Sequence, residues 1–451
     1  MFKLLRTIIS KKGIGSILFI LTIFLCVFGT TGCTKKDKKE VASGNIKEKK
    51  VINIWGGEAL IGETELEMDQ SEWLLTKLIK EYEENNDQLE INYTYIEDDS
   101  ILYQIFKRSK DIPEEVPDIV ILETGNAFLE LTSSFYAIDD FISEEDMETQ
   151  LNWENTKGED GKIYGYPTGG MLIGLVAYNK ALAKELDLDL DNNPPKYFDE
   201  FEKMLEYVKK NSDILPIASG DLTYNSLYSN MISKWWLQQS GYKITDEIKS
   251  NNYKFEDDKA FLESLEIGQD FYTKGYINLD YATNDSPLSD FINSEALFFP
   301  THNADLKFLY EMLGDDLGVM EIPDYAKGVD VPSLNFGTCC QCFSIVKSTK
   351  YPEECYKLLE WLNNRENSIK MNYTYGTLPA KKDVSFTDVG YIEEEVYEDI
   401  YHIRDHAKLS VLTFLDQELQ QQYFRYGVQT MINQMEPKEF AKILDDEMKS
   451  R

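Results

Sequence analysis

Val51-Ile52-Asn53-Ile54-Trp55, closed by Gly56-Gly57, is a short apolar run of strand type ending where backbone can approach a ligand with no Cβ in the way. Downstream, Trp73, Leu74, Leu75, Leu78, Ile79 and Tyr82 recur at helical spacing, with Ser71 placed as an N-cap. Leu89 to Ile96 alternates as a half-buried strand does. Pro117-Asp118-Ile119-Val120-Ile121-Leu122 is a continuous apolar strand ending at Glu123-Thr124-Gly125-Asn126. Strand, helix, strand, helix, strand predicts an α/β fold. Ligands of such sheets lie beyond the carboxyl ends of the strands. Trp55 with Glu58, and Glu123 with Asn126, follow two such ends.

Further along, Gly161-Lys162-Ile163-Tyr164-Gly165-Tyr166-Pro167 precedes Gly169-Gly170 and then a strand from Leu172 to Tyr178 that ends in Asn179-Lys180. Phe198-Asp199-Glu200-Phe201 opens a helix. Phe291 to Phe299 enters a strand, and Leu317-Gly318-Val319-Met320-Glu321-Ile322-Pro323 forms another. Cys342 to Val346 is followed by the helix Pro352 to Leu362, and Gly376-Thr377-Leu378-Pro379 comes after it. This collinear series, over about residues 51–380, resembles the extracellular solute-binding proteins of family 1, the maltose-binding-like substrate receptors of ABC importers. Ser294 departs from the family pattern, which usually has Gly there.

The resemblance implies a two-lobed, periplasmic-binding-protein-like fold with hinge crossings near Gly169–Gly174, Ser344 and Pro379. Lobe 1 would comprise residues 51–173 and 346–378, and lobe 2 residues 174–345 and 379–451. It also implies a ligand in the interlobe cleft, closure by hinge bending, and delivery to ABC permease subunits.

The N-terminus carries Lys3, Arg6, Lys11 and Lys12, then the apolar run Ile17 to Phe28, then Gly29-Thr30-Thr31-Gly32-Cys33. Basic, apolar, small is the order of a secretory signal. The apolar run falls short of the roughly 20 residues that a spanning helix needs, which favours cleavage over an uncleaved anchor. Thr30-Thr31-Gly32-Cys33 resembles the bacterial lipobox, with Thr30 where Leu is usual. That resemblance implies a signal peptide at 1–32 and lipidation of Cys33, with 33–50 as a Lys-rich tether to the extracellular face of the cell membrane.

The 451 residues are 42% apolar and 28% charged, a soluble globular composition. Lys and Arg total 46 against 80 Asp and Glu, a formal charge of −34. Losing residues 1–32 removes four cations and no acid, which makes it −38. Such acidity argues against nucleic acid as a partner. Beyond Cys26 and Cys33, the thiols are Cys339, Cys340, Cys342 and Cys355, read as buried and reduced, with a Cys355 disulfide as the alternative. They lack zinc-site spacing. His402 and His406 stand i,i+4, but Ile403 takes the place of the glutamate in H-E-x-x-H. No catalytic residue, metal or cofactor is expected.

Sugars present C–H faces to aromatic rings and hydroxyls to carboxylates and amides. The ligand-binding candidates are therefore Trp55, Glu58, Glu123, Asn126, Tyr224 beside Asn225, Trp235, and His302 after Phe299; the family resemblance adds Tyr423, on a late helix where the family often turns an aromatic to the cleft. Trp235 and Trp236 lie about 100° apart on a helix, so at most one would face a ligand, and core packing of either is the competing reading. The expected function is capture of a small solute, an oligosaccharide first, for import. A two-lobed sensor or adhesive lipoprotein is the alternative from another class, with an extracellular glycosidase or lyase third.

Overall fold

The computed structural model describes residues 49–57, 60–61, 65–168, 170–220, 227–284, 286–329, 334–335, 341–390, 400 and 407–449. Expectations for Cys33, Glu58, Tyr224, Asn225, Cys339, Cys340, His402 and His406 fall outside them.

Lobe 1 is built on a five-stranded sheet. Its strands are β1 (Lys50–Gly56), β2 (Leu89–Tyr95), β3 (Ile119–Glu123), β4 (Tyr166–Thr168) and, from far along the chain, β11 (Gln341–Ile345), in the order β2-β1-β3-β11-β4. β1 runs parallel to β2 and β3, whereas β11 is antiparallel to β3 and β4. Each face is apolar for its own reason. Ile52, Ile54, Ile119, Ile121, Phe343 and Ile345 point towards the helices Leu74–Glu84 and Pro352–Leu362. Val120, Leu122 and Cys342 point towards the helix Asp99–Ser109. Period-two alternation sends successive residues to opposite faces, and both faces are covered, so β3 reads as an unbroken apolar run.

The helix Leu74–Glu84 corrects the expected cap. Ser71 lies in a preceding 3-10 turn, Gln70–Glu72, that Asp69 caps. The α-helix starts three residues later, where the Glu65 carboxylate accepts from Leu74 N at 2.5 Å. Trp73 Nε1 donates to the Glu65 carbonyl at 2.7 Å. The carboxylate thus takes up a helix-terminal N–H that has no partner within the helix.

Lobe 2 has the four-stranded sheet β7-β8-β6-β9, from β6 (Gly174–Asn179), β7 (Leu215–Ile217), β8 (Ala296–His302) and β9 (Leu317–Glu321). Val176 and Tyr178 face the main core, which the helices Phe198–Asn211, Ser233–Ser240, Lys259–Thr273, Gln417–Met431 and Pro437–Lys449 complete. Leu175 and Ala177 face the smaller cluster with Phe299 and Leu309.

β10 (Leu334–Asn335) pairs parallel with Lys408–Leu409, and between the lobes run β5 (Gly170–Met171) and β12 (Leu378–Pro379), paired antiparallel. Two segment limits differ from expectation. β11 belongs to lobe 1, so the chain returns to that lobe before Gln341 and not at 346. After β12 it stays there: Leu151 N donates to Ala380 O at 2.7 Å, Lys381 pairs with Asp146, and Arg365 pairs with Asp388 at 2.7 Å. Re-entry into lobe 2 is complete by Leu409, which lies in its main core.

Candidate functional site

At the carboxyl end of the lobe 1 sheet the last row of side chains runs across three strands. Gln341 is directly opposite Glu123 on one side and Thr168 on the other. Residues directly opposite in antiparallel pairs share a face, so these three polar groups form one line on the face that carries Ile121 and Phe343. The Gln341 amide donates to the Glu123 carboxylate. Glu123 is open to solvent, yet burial within the surrounding protein mass, then the negative charge of Asp99, raise its pKa to about 7 against the pull of Gln341. Accessible and desolvated together describe a carboxylate in a concavity.

A further feature marks this end of the sheet. Gln341 Oε1 and Thr168 Oγ1 are buried without a hydrogen-bond partner, as are the hydroxyls of Tyr93 and Tyr375 on the same face. A buried polar atom left unmatched costs about 1–3 kcal/mol. Concentration of such atoms at strand ends is what a polar ligand's site requires.

Of the expected residues, Trp55, the last residue but one of β1, is half-buried, pairs with Val120, and packs on the opposite face from Glu123. Asn126 is half-buried and begins the helix Asn126–Leu131. Just before it, Gly125 has φ +119°, and a Cβ there would stand 2.8 Å from the Thr413 carbonyl. Thr413 belongs to the turn Val411–Phe414, whose Val411, Leu412 and Phe414 sit in the lobe 2 core. The lobes therefore touch at Gly125.

On the lobe 2 side, His302 closes β8 opposite Gly174, with Nε2 3.6 Å from Asp305. Next to it, buried Asn303 accepts from Ile173 N at 2.6 Å and donates its own N–H back to Ile173 O, tying β8 to the crossing segment. The π-helical turn Leu227–Ile232 brings Asn230 so near Gly174 that a Cβ there would stand 2.9 Å from its side chain. Asn230 Nδ2 and Ser219 Oγ are likewise buried without partners. π-turns often occur at functional sites.

Trp235 and Tyr423 correct the sequence reading. Trp235 is fully buried, donates Nε1 to Pro323 O at 2.8 Å, and packs edge-on against Phe198. Tyr423 is buried and stacks on Tyr228 at 4.8 Å. Trp236 is also buried, held by Asp258 at 2.9 Å. The physical reason is shared. A helix inside a five-helix core has few faces open to a cleft, and large aromatic rings fill the others.

Sequence reasoning missed Gln341, Thr168, Asn230 and Ser219. Thr168 was signalled only by a polar residue between Pro167 and the glycine pair, and Gln341 only by an amide inside an otherwise apolar strand. Cys342 and Cys355 are buried, and burial pushes the Cys355 thiol up to about 12.

The chain belongs to the bacterial extracellular solute-binding proteins: the model of that family matches residues 77–394, well over half its length. No curated protein sequence matches. Among solved structures, it resembles a chitin oligosaccharide binding protein with TM-score 0.72 at 16% identity, covering 89% of this chain and 98% of the other. A family 1 extracellular solute-binding protein from Bifidobacterium longum subsp. infantis gives 0.69 at 17% identity, over 90% and 100% of the two chains. The sugar-binding protein MalE of Xanthomonas citri gives 0.69 at 14%, over 89% and 97%. These likenesses concern the fold, which is mixed α/β and two-lobed. Among the described residues no helix is long and apolar enough to cross a membrane.

Proposed function

We propose that this protein captures a small polyhydroxylated solute, an oligosaccharide, in the cleft between its lobes and delivers it unchanged to an ABC permease from a lipid-anchored position outside the cell. The observation that carries the reading is the polar row Glu123–Gln341–Thr168, an exposed carboxylate beside a buried amide and a buried hydroxyl, at the carboxyl end of the lobe 1 sheet beside the contact between lobes. Such a row offers hydroxyl groups a carboxylate, an amide oxygen and a hydroxyl. From lobe 2, His302, Asn230 and Ser219 would supply the opposing partners, and Trp55 and Asn126 would border the opening.

Closure would follow from the paired crossing strands β5 and β12, which act as the hinge. Ligand contacts made by both lobes stabilise the closed arrangement over the open one, and only that difference shifts the population. Lipidation of Cys33 and the Lys-rich tether rest on the sequence alone.

Thermal unfolding with saccharide panels tests the binding claim, because a ligand of the folded state raises the midpoint by mass action. Stabilisation by an oligosaccharide that is recovered chemically intact is the expected result. Turnover of that saccharide would refute it. For the anchor, Cys33→Ser is expected to release the protein or leave an unprocessed precursor. Processing with attachment unchanged would refute lipidation.

A further inference from the structure

The chemistry around Glu123 narrows the solute further, on the reading above that the cleft is its site. Two carboxylates, Glu123 at the end of β3 and Asp99 at the start of the helix Asp99–Ser109, lie near enough for the Asp99 charge to oppose ionisation of Glu123. The groups that shift Glu123 include no lysine or arginine. The described connections at this end of the sheet, residues 65–73, 96–99 and 123–126, hold eight acidic residues and no Lys or Arg; Lys77, from the following helix, pairs with Glu72. Several of these acids have structural duties: Asp69 and Asp98 cap helical turns. Glu123 has none beyond the Gln341 bond.

The second observation is independent of charge. Gln341 and Thr168 are 7% and 1% exposed, and Gln341 Oε1 and Thr168 Oγ1 lack partners. Because the Gln341 amide nitrogen is turned to Glu123, its oxygen is left as an acceptor. Carboxylate, amide oxygen and hydroxyl oxygen in one line select a guest rich in N–H and O–H donors. An ammonium group has three donors and no acceptor. A metal ion suits the site poorly: calcium takes six to eight oxygens, and among the described residues no group of three His, Cys, Asp or Glu is gathered to hold one.

We infer that the solute carries a free ammonium group seated against Glu123, with neighbouring hydroxyls reaching Gln341 Oε1 and Thr168 Oγ1, which is the pattern of a de-acetylated amino sugar. The cation removes the repulsion between Glu123 and Asp99, and an N-acetyl group at the same position would remove that gain and add a desolvated amide.

Calorimetric titration of the full mature chain tests this with four probes: glucosamine trisaccharide, its N-acetylated counterpart, a neutral glucose trisaccharide, and spermidine. The amine trisaccharide is expected to bind at least tenfold tighter than the acetylated and neutral ones. Glu123→Gln, checked for an unchanged circular dichroism spectrum, is expected to erase at least tenfold of that preference. Binding by spermidine and by no sugar would support ammonium recognition while refuting the saccharide reading. Neutral or acetylated sugars binding within threefold of the amine, or no amine binding at all, would overturn the inference and leave the saccharide reading to be judged on the neutral sugars.

Discussion

Gly125→Ala is the substitution that separates lobe contact from lobe stability. The new Cβ would stand 2.8 Å from Thr413 O, where ordinary contact begins at 3.4 Å, so the lobes must part locally by about 0.6 Å or the loop must shift. The backbone at φ +119° also disfavours any side chain, at about 1–3 kcal/mol. Two effects follow: lower unfolding stability, and a closed arrangement made harder to reach. Gly161→Ala is the matched control. Its φ of +80° brings comparable backbone strain, but nothing lies within 4 Å of the added carbon. Calorimetry with the best-binding oligosaccharide should show about tenfold weaker affinity for Gly125→Ala, equivalent to ~1.4 kcal/mol. For Gly161→Ala, affinity should be unchanged, and unfolding should show both variants destabilised. Equal affinities in the two variants would refute the claim that this contact belongs to the ligand-bound arrangement.

Other expectations follow from single sites. Binding of an amine ligand should weaken as pH falls through about 7, where Glu123 gains its proton, and Glu123→Gln should flatten that profile; a profile unchanged by the substitution would exclude Glu123 from the contact. Asp258 is pushed up by burial, but hydrogen bonds from Ser240, Tyr253 and Trp236 win and hold its pKa below the usual carboxylate range. Its stabilisation is therefore present above pH ~3.9 and lost as pH falls through the lower folded value. Asp258→Asn should cost about 2 kcal/mol at pH 7 by denaturant unfolding, with the difference from wild type shrinking below pH ~3.9; a constant gap would contradict the sign. Native alkylation mapped by mass spectrometry should leave Cys342 and Cys355 unmodified, since both are buried thiols, and rapid labelling of either would show that the core opens.

The strands of lobe 1 were legible because their signal is local. Val51 to Trp55, Leu89 to Ile96 and Ile119 to Leu122 carry their own periodicity, and the carboxyl end of the last of them marks Glu123 from sequence alone. The partners of Glu123 were not legible. Gln341 reaches β3 from more than two hundred residues away, and its facing of Glu123 depends on antiparallel register that no nearby residue encodes. Trp235 and Tyr423 failed for the opposite reason: composition marks an aromatic as useful to a sugar and to a core alike, and only helix packing decides between them. The segment limits at 346 and 379 moved because β11 joins a sheet formed by the first part of the chain, and because Lys381 and Asp388 pair back to lobe 1 after β12.

The most direct test of a cleft that closes on its guest is a distance between lobes. Donor and acceptor dyes placed by Ile105→Cys on lobe 1 and Leu279→Cys on lobe 2, both exposed, report it by fluorescence transfer. With saturating oligosaccharide, added as the free-amine and neutral forms in turn, the account predicts a shift to a single distance population for the form that binds. A calorimetrically bound oligosaccharide that leaves the distance distribution unchanged would contradict it.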